Sequence, residues 1–220
     1  MDDDALNKID ESLFMSRSAL LERLREQTQV LKHPLVNAAF EQIDRRDFVA
    51  GDYQPEAYED YALPTHGDQT ISQPTTVAFM LELLDAKEGQ SVLDVGSGTG
   101  WTTALLGAIV GKQGSVVGLE IVPELLALSQ KNIAKYKMGH VRIEQSDKDF
   151  GVSAATKGPF DRILANAAVP DVPKELTSRL KPGGRMVIPV EDSIVLVTKD
   201  PKGKMHVQQY AGFGFMPMVR

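Results

Sequence analysis

A chain of 220 residues is long enough for one α/β domain with a substantial core, and its formal net charge of −6, with acids and bases interleaved, leaves no basic stripe to track nucleic acid. The absence of cysteine removes thiol nucleophiles, disulfides and cysteine-ligated zinc together, and His33, His66, His140 and His206 are too scattered to suggest a metal site. No apolar run reaches the roughly 18 residues of a membrane span, and the acidic start Met1-Asp2-Asp3-Asp4 is unlike a secretory signal, so a cytoplasmic monomer without membrane or nucleic-acid partners is expected.

From residue 6 to residue 48 the apolar residues recur at helical intervals, Leu20, Leu21 and Leu24 in one run and Leu35, Val36, Ala39, Phe40 and Ile43 in the next, which predicts two helices. Pro34 separates them, because proline lacks an amide hydrogen and disfavours helical geometry in the residue before it. Leu63-Pro64 and the polar run 65–74, with Gly67, Asp68, Ser72 and Pro74, read as an irregular loop. Val77, Met80, Leu81 and Leu84 then follow the spacing of a helix with one buried face. Ser91-Val92-Leu93-Asp94-Val95 is a short apolar strand, 101–109 a helix and 115–121 another strand, one βαβ unit. Pro123 and Glu124 open a helix expected to reach about Tyr136. Strands are predicted at 141–145, 162–165 and 185–190, with a helix over 173–180 that stops at Lys181-Pro182-Gly183-Gly184. Such alternation predicts a doubly wound α/β sheet, mostly parallel, with right-handed crossovers. The runs 194–198 and 204–211, split by Asp200-Pro201-Lys202-Gly203, predict an antiparallel hairpin on one sheet edge. Phe213 and Phe215 can either close the core or line a groove.

The most informative segment is Asp94-Val95-Gly96-Ser97-Gly98-Thr99-Gly100, which puts glycines where a buried strand turns into a helix, at the ligand crevice of such a sheet. Side chains there would block close approach of backbone to ligand, and the amides of the helix start can face the ligand. The pattern is GxGxG, with Trp101 where a dinucleotide fingerprint needs its last glycine and no Gly-Lys-Ser/Thr for a P-loop. Glu120 ends the next strand, where a carboxylate can reach ribose hydroxyls, or it caps the following helix. Asp94 either orients a ligand through water or holds the loop.

Further residues carry a resemblance to a family. The GxGxG loop with a strand-end acid is similar to class I S-adenosylmethionine-dependent methyltransferases. Asp44-Arg45-Arg46-Asp47-Phe48-Val49, Ala57-Tyr58-Glu59-Asp60, Gly67-Asp68-Gln69-Thr70-Ile71-Ser72-Gln73-Pro74, Pro159-Phe160-Asp161-Arg162-Ile163 and Leu180-Lys181-Pro182-Gly183-Gly184-Arg185-Met186-Val187-Ile188-Pro189-Val190 resemble, in order and spacing, the protein-L-isoaspartate O-methyltransferases from about residue 20 onward. The resemblance implies a Rossmann-like methyltransferase sheet, S-adenosyl-L-methionine as cofactor, and methyl transfer to the α-carboxylate of L-isoaspartyl residues in damaged proteins and peptides. The ester then closes to a succinimide that hydrolyses partly to normal aspartate, so the net result is repair. It implies Thr70 and Ser72 as the catalytic, acceptor-side residues, with Asp94, Gly96, Ser97, Gly98, Thr99, Gly100, Glu120 and Asp147 at the cofactor. The chain divides into an N-terminal helical extension and substrate loop, 1–73, and a methyltransferase domain, 74–220, folded as one compact unit.

Departures from the family pattern bear on acceptor preference. They are Ser146-Asp147-Lys148 after the third strand, Glu191-Asp192-Ser193 after Val190, and Thr75-Thr76 after Pro74. Two added carboxylates facing the acceptor would weaken binding of an anion. A carboxylate acceptor, with a reference pKa of about 4, is already ionised at neutral pH and needs no strong general base. Alternatives are a methyltransferase of the same fold with another acceptor and a cofactor-binding protein without turnover. Asn166-Ala167-Ala168-Val169 lacks the Asn/Asp-Pro-Pro-aromatic motif of base amino-methyltransferases, which disfavours nucleobases.

Overall fold

Residues 14–147, 150, 156 and 158–219 are described by a computed structural model; the acidic start, the first residues of the helix predicted from residue 6, and Lys148 lie outside them. Helix α1 (Arg17–Glu22) begins behind Ser16, whose hydroxyl accepts the Ala19 amide at 3.2 Å, satisfying one orphan donor of the first turn. It runs on as a π-helical turn, Arg23–Gln27. Helix α2 (Pro34–Gln42) carries Pro34 in its first turn, where a missing amide hydrogen costs nothing. Two 3-10 helices, Arg45–Phe48 and Gly51–Glu56, lead out of this region. The segment predicted as an irregular loop forms a small antiparallel ribbon, β1 (Leu63–Pro64) with β2 (Thr70–Ile71), closed by Thr65 N donating to Gln69 O at 2.9 Å and turned at Gly67, φ +61°. Helix α3 (Pro74–Leu84) follows.

The main sheet contains β3 (Ser91–Val95), β4 (Ser115–Glu120), β5 (Val141–Gln145), β6 (Phe160–Ala165), β7 (Leu180–Val190), β8 (Ser193–Lys199) and β9 (Met205–Ala211), in the order β5-β4-β3-β6-β7-β8-β9. The first five of that order run parallel, and β8 and β9 are antiparallel, the predicted doubly wound sheet with its hairpin at one edge. Helices α4 (Trp101–Val110), α5 (Pro123–Ala134) and α6 (Lys174–Thr177) connect strands. The chain winds outward from β3 to β5 and returns to β6 on the other side of β3, so the crevice of a doubly wound sheet opens at the carboxyl end of β3. Two boundaries differ from expectation by more than a residue or two. The helix predicted over 173–180 is only four residues, and β7 starts at Leu180, before Pro182-Gly183-Gly184. That segment sits at a register shift in the β6–β7 pairing, with Gly183 at φ +78°, an irregularity that accommodates proline and glycine without ending the strand.

Strand β3 shows how the layers are filled. Val92 packs into the core shared by α2, α3 and α4, while Leu93 and Val95 face the opposite layer with Val117, Ile163 and Met186, the period-two alternation of a sheet covered on both faces. Phe40 of α2 meets Trp101 of α4 edge-on at 5.7 Å. Among the described residues no helix is long and apolar enough to cross a membrane.

Candidate active site

A cavity of about 530 Å³ opens at the carboxyl ends of β3 and β4, within the range of roughly 300–1,000 Å³ typical of small-molecule sites. One side is built from the glycine loop, residues 120–122 and Ser146-Asp147; the other comes from residues 61–62, 69–73 and Thr76, with Gly214, Phe215, Met216, Met218 and Val219 closing it. Gly96 and Gly98 have φ of +73° and +55°, and a Cβ on either would meet nothing within 4 Å. Their loop therefore leaves room where side chains would intrude on a ligand. Gly100 answers a different need, since a Cβ there would press on Ser129 Cβ at 3.2 Å, where α4 meets α5.

Four amides of the loop itself are spent on the protein. Gly96 N and Ser97 N both donate to Leu119 O at 2.9 Å, Gly100 N donates to Ser97 O at 2.8 Å, and Gly98 N donates to Glu120 Oε2 at 2.7 Å. The loop is thus laced to the end of β4. Glu120, 4 % exposed, combines the two roles weighed for it: Oε1 accepts Ile121 N and Val122 N at 2.8 and 2.9 Å at the entry to α5, and Oε2 keeps a lone pair beyond the Gly98 bond for a ligand hydroxyl. Among the described residues, the Ser97 hydroxyl in the lining is buried without a partner, a donor left for a ligand to satisfy.

Asp94 is fully buried and is not a lining residue. It accepts from Thr102 Oγ1 at 2.9 Å, Thr103 Oγ1 at 2.5 Å and Asn166 Nδ2 at 2.7 Å. Burial pushes its carboxyl above the usual range against the pull of these three bonds. Asn166 also donates to Gly96 O at 3.2 Å and lines the cavity. Asp94 therefore holds the loop from behind, and Asn166 is a side chain of this network that lines the cavity, a residue that sequence reasoning used only to exclude another motif.

On the acceptor side, Ser72 and Thr70 both line the cavity, and neither hydroxyl has a hydrogen bond to a described residue. Ser72 does not cap α3, whose start is served instead by Asp60. Thr75 N and Thr75 Oγ1 bond Asp60 Oδ1 and Oδ2 at 2.9 and 2.7 Å, and Arg23 Nε reaches Oδ2 at 3.0 Å. Burial alone would raise the Asp60 carboxyl, but the Thr75 and Arg23 bonds outweigh it and hold the group below the usual range. Its contribution to stability is therefore complete above the unfolded carboxyl pKa of about 3.9 and is lost as pH falls through the lower folded value. Asp60→Asn should lower unfolding free energy by about 1–2 kcal/mol at neutral pH, and the gap to the wild type should close below about pH 4 in denaturant titrations; a gap that stays constant into acid would remove the charge from this account.

A family model described as protein-L-isoaspartate (D-aspartate) O-methyltransferase matches residues 15–220. The chain belongs to that family. Among relatives of the isoaspartyl methyltransferases, protein-L-isoaspartate O-methyltransferase 2 of Archaeoglobus fulgidus is 40 % identical over 205 residues, 92 % of each chain. The Methanopyrus kandleri protein-L-isoaspartate O-methyltransferase is 37 % identical over 220 residues, 96 % of this chain and 94 % of its own. A Plasmodium falciparum protein described as a protein-L-isoaspartate O-methyltransferase, crystallised with S-adenosyl-L-homocysteine, superposes with a TM-score of 0.80 at 25 % identity over 93 % of this chain and 99 % of that one.

Within this isoaspartyl methyltransferase site the departures fall unequally. Glu191 and Asp192 are not lining residues; the Asp192 carbonyl instead accepts Gly212 N and Phe213 N at 3.1 and 3.0 Å. Thr75 is spent on Asp60, whereas Thr76 lines the cavity and donates to Gln73 Oε1 at 3.2 Å. Ser146 and Asp147 also line it. Phe215 faces the cavity, while Phe213 stacks on Phe79 at 5.3 Å.

Proposed function

We propose that the cavity binds S-adenosyl-L-methionine against the glycine loop and Glu120 and directs methyl transfer to the α-carboxylate of L-isoaspartyl residues in damaged proteins and peptides. The observation that carries this reading is one continuous cavity that joins Gly96, Gly98 and Glu120 to Thr70 and Ser72, in a chain matched along nearly its whole length by the family. When bound, the cofactor supplies an electrophilic methyl group that a carboxylate oxygen can take directly. Glu120 would hold the ribose, Asn166 and Ser97 the amino-acid part, and Asp147 the adenine side. Ser72 and Thr70, with hydroxyls that no described residue engages, would donate to the acceptor carboxylate and hold it in line, and Phe215, Met216 and Met218 would keep water from a weak nucleophile. No residue has to accept a proton, because the acceptor arrives ionised. We further read the protein as a cytoplasmic monomer acting without nucleic acid or membrane, on the support of its net charge of −6.

The test is methyl transfer from labelled cofactor to two peptides of one sequence, one with L-isoaspartate and one with normal aspartate. Label should appear on the isoaspartyl peptide alone. Ser72→Ala should reduce kcat/KM by about tenfold, the loss of one hydrogen bond to a charged group, with little change in cofactor affinity. Cofactor binding without label on either peptide would move the assignment to another acceptor or to a binder without turnover.

A further inference from the structure

An enzyme that takes carboxylates must attract an anion, yet the described residues lining this cavity offer no cation. Among the described lining residues there is no Lys, Arg or His, and the carboxyl side chains present are Glu120 and Asp147, in a chain of net charge −6. Apart from the cofactor's own sulfonium, an incoming carboxylate would meet no fixed cation of the protein in the described lining and would face the like charge of Glu120 and Asp147 where screening by water is reduced.

A cation stands directly behind the acceptor wall. Arg45 is 3 % exposed. Its Nη1 donates to Ala57 O and Glu59 O at 2.8 and 3.1 Å, and its Nη2 donates to Tyr61 O and Ser72 O at 3.0 and 3.2 Å. Its guanidinium carbon lies 5.3 Å from the centroid of the Trp101 ring. Tyr61, Ser72 and Trp101 all line the cavity. Burial lowers the Arg45 pKa to about 10, so the group stays charged at neutral pH. Its hydrogen-bond partners are four carbonyls, and among the described residues no carboxylate forms an ion pair with it. A buried guanidinium is costly to desolvate; the carbonyl dipoles offset that cost without cancelling its net charge, and the Asp60 carboxylate, which forms no ion pair with it, acts on it through space and favours its charged form. Arginine suits such a place because its fork of donors is rigid and it stacks on aromatic faces.

We propose that Arg45 is the fixed counter-charge for the acceptor carboxylate, acting through the wall that Ser72 and Trp101 form, and that it sets the preference of this site for anionic acceptors. The inference rests on the reading of the cavity as an isoaspartyl carboxyl methyltransferase site. Arg45 touches no reacting atom and is a positioning and specificity residue. Its energetic signature follows from charge. The acceptor enters as an anion and leaves as a neutral ester, so a fixed cation favours the bound acceptor over both the transition state and the product. Its loss should therefore raise KM for the acceptor and, because bound acceptor loses more than the transition state, raise kcat slightly, so that kcat/KM falls less than acceptor affinity does. The same cation disfavours a neighbouring sulfonium relative to a neutral thioether, so removing it should shift cofactor-side affinity toward S-adenosylmethionine and away from S-adenosylhomocysteine.

Three proteins test this: wild type, Arg45→Lys and Arg45→Met. The readout is binding of two peptides to the S-adenosylhomocysteine complex, one with the free isoaspartyl α-carboxylate and one with that group as the neutral amide. Wild type should prefer the anionic peptide, Arg45→Lys should keep most of that preference even if both affinities fall, and Arg45→Met should lose about tenfold for the anionic peptide only. The affinity ratio of S-adenosylmethionine to S-adenosylhomocysteine should rise a few-fold in Arg45→Met. Equal losses for both peptides, or an Arg45→Lys preference that collapses to unity, would overturn the proposal and leave Arg45 as a clamp on the 57–72 backbone. Should Arg45→Met fail to fold by thermal unfolding, the Arg45→Lys preference decides alone. A wild type that methylates no isoaspartyl peptide sinks the functional reading itself, whereas normal wild-type methylation with unchanged discrimination in the variants sinks only the role of Arg45.

Discussion

Glu120→Ala should weaken binding of S-adenosylhomocysteine by about a hundredfold, roughly 3 kcal/mol, measured by calorimetric titration. Two losses combine. The amides of Gly98, Ile121 and Val122 lose the carboxylate that now gathers them, and the ligand loses a charged acceptor for a hydroxyl; bonds of this kind are worth about 1.5–3 kcal/mol each, part of which water returns. The glycine loop is fastened to β4 by these contacts and by the Leu119 carbonyl, so freeing Gly98 also loosens the backbone that must lie against the ligand. Glu120→Gln should fall between, because one carboxamide oxygen replaces two acceptors and its NH2 then opposes an amide N–H. Affinity within threefold of wild type for Glu120→Ala would remove this residue from cofactor binding.

Asp94→Ala should destabilise the protein by about 3–5 kcal/mol, the range for removing one partner of a buried charged network, and lower Tm by on the order of 10 °C for a chain of this size. The cost comes from what remains. The buried hydroxyls of Thr102 and Thr103 would be left with no acceptor in the place Asp94 fills, each carrying a desolvation penalty, and Asn166 would be left with its carbonyl partners. Because Asn166 is aimed by Asp94, cofactor affinity should fall with stability, and raising the cofactor concentration should recover part of the Tm. A Tm within about 3 °C of wild type would mean that the surroundings collapse onto the vacancy, and that the network matters less than its geometry indicates.

The parts of this architecture legible in the sequence are those set by local periodicity. Alternation of apolar strands with helical repeats yields the doubly wound sheet, because each element has to bury one face or both. The turn Asp200-Pro201-Lys202-Gly203 predicts the hairpin of β8 and β9, since its composition cannot continue a strand. The glycine loop and Glu120 are readable for a related reason: an unusual residue type sits where the chain must turn under a ligand. What stayed hidden depends on partners distant in sequence. Arg45 sits in a segment that carries the family resemblance, but nothing local in the sequence gives it a role until carbonyls from residues 57, 59, 61 and 72 converge on it. Asn166 matters because Asp94, 72 positions away, orients it. The β7 boundary was misplaced at Pro182-Gly183-Gly184 because a bulge absorbs residues that otherwise stop a strand. Phe213 and Phe215, two residues apart, take different roles that only the packing of Phe79 separates.

Trimming the chain to its sheet would fail for a reason already present in the packing. Val36, Phe40 and Phe48 belong to the same core as Leu81, Leu105 and Trp101, so a fragment starting at Pro74 would turn that helical face toward water. Exposed apolar patches beyond a few hundred Å² drive association, and the fragment would precipitate before its ligand affinity could be measured. The segment ahead of α3 thus serves as a permanent cover for this apolar face, and minimal versions of this protein should be sought by shortening the exposed turn 201–204 between β8 and β9 rather than by cutting from the front.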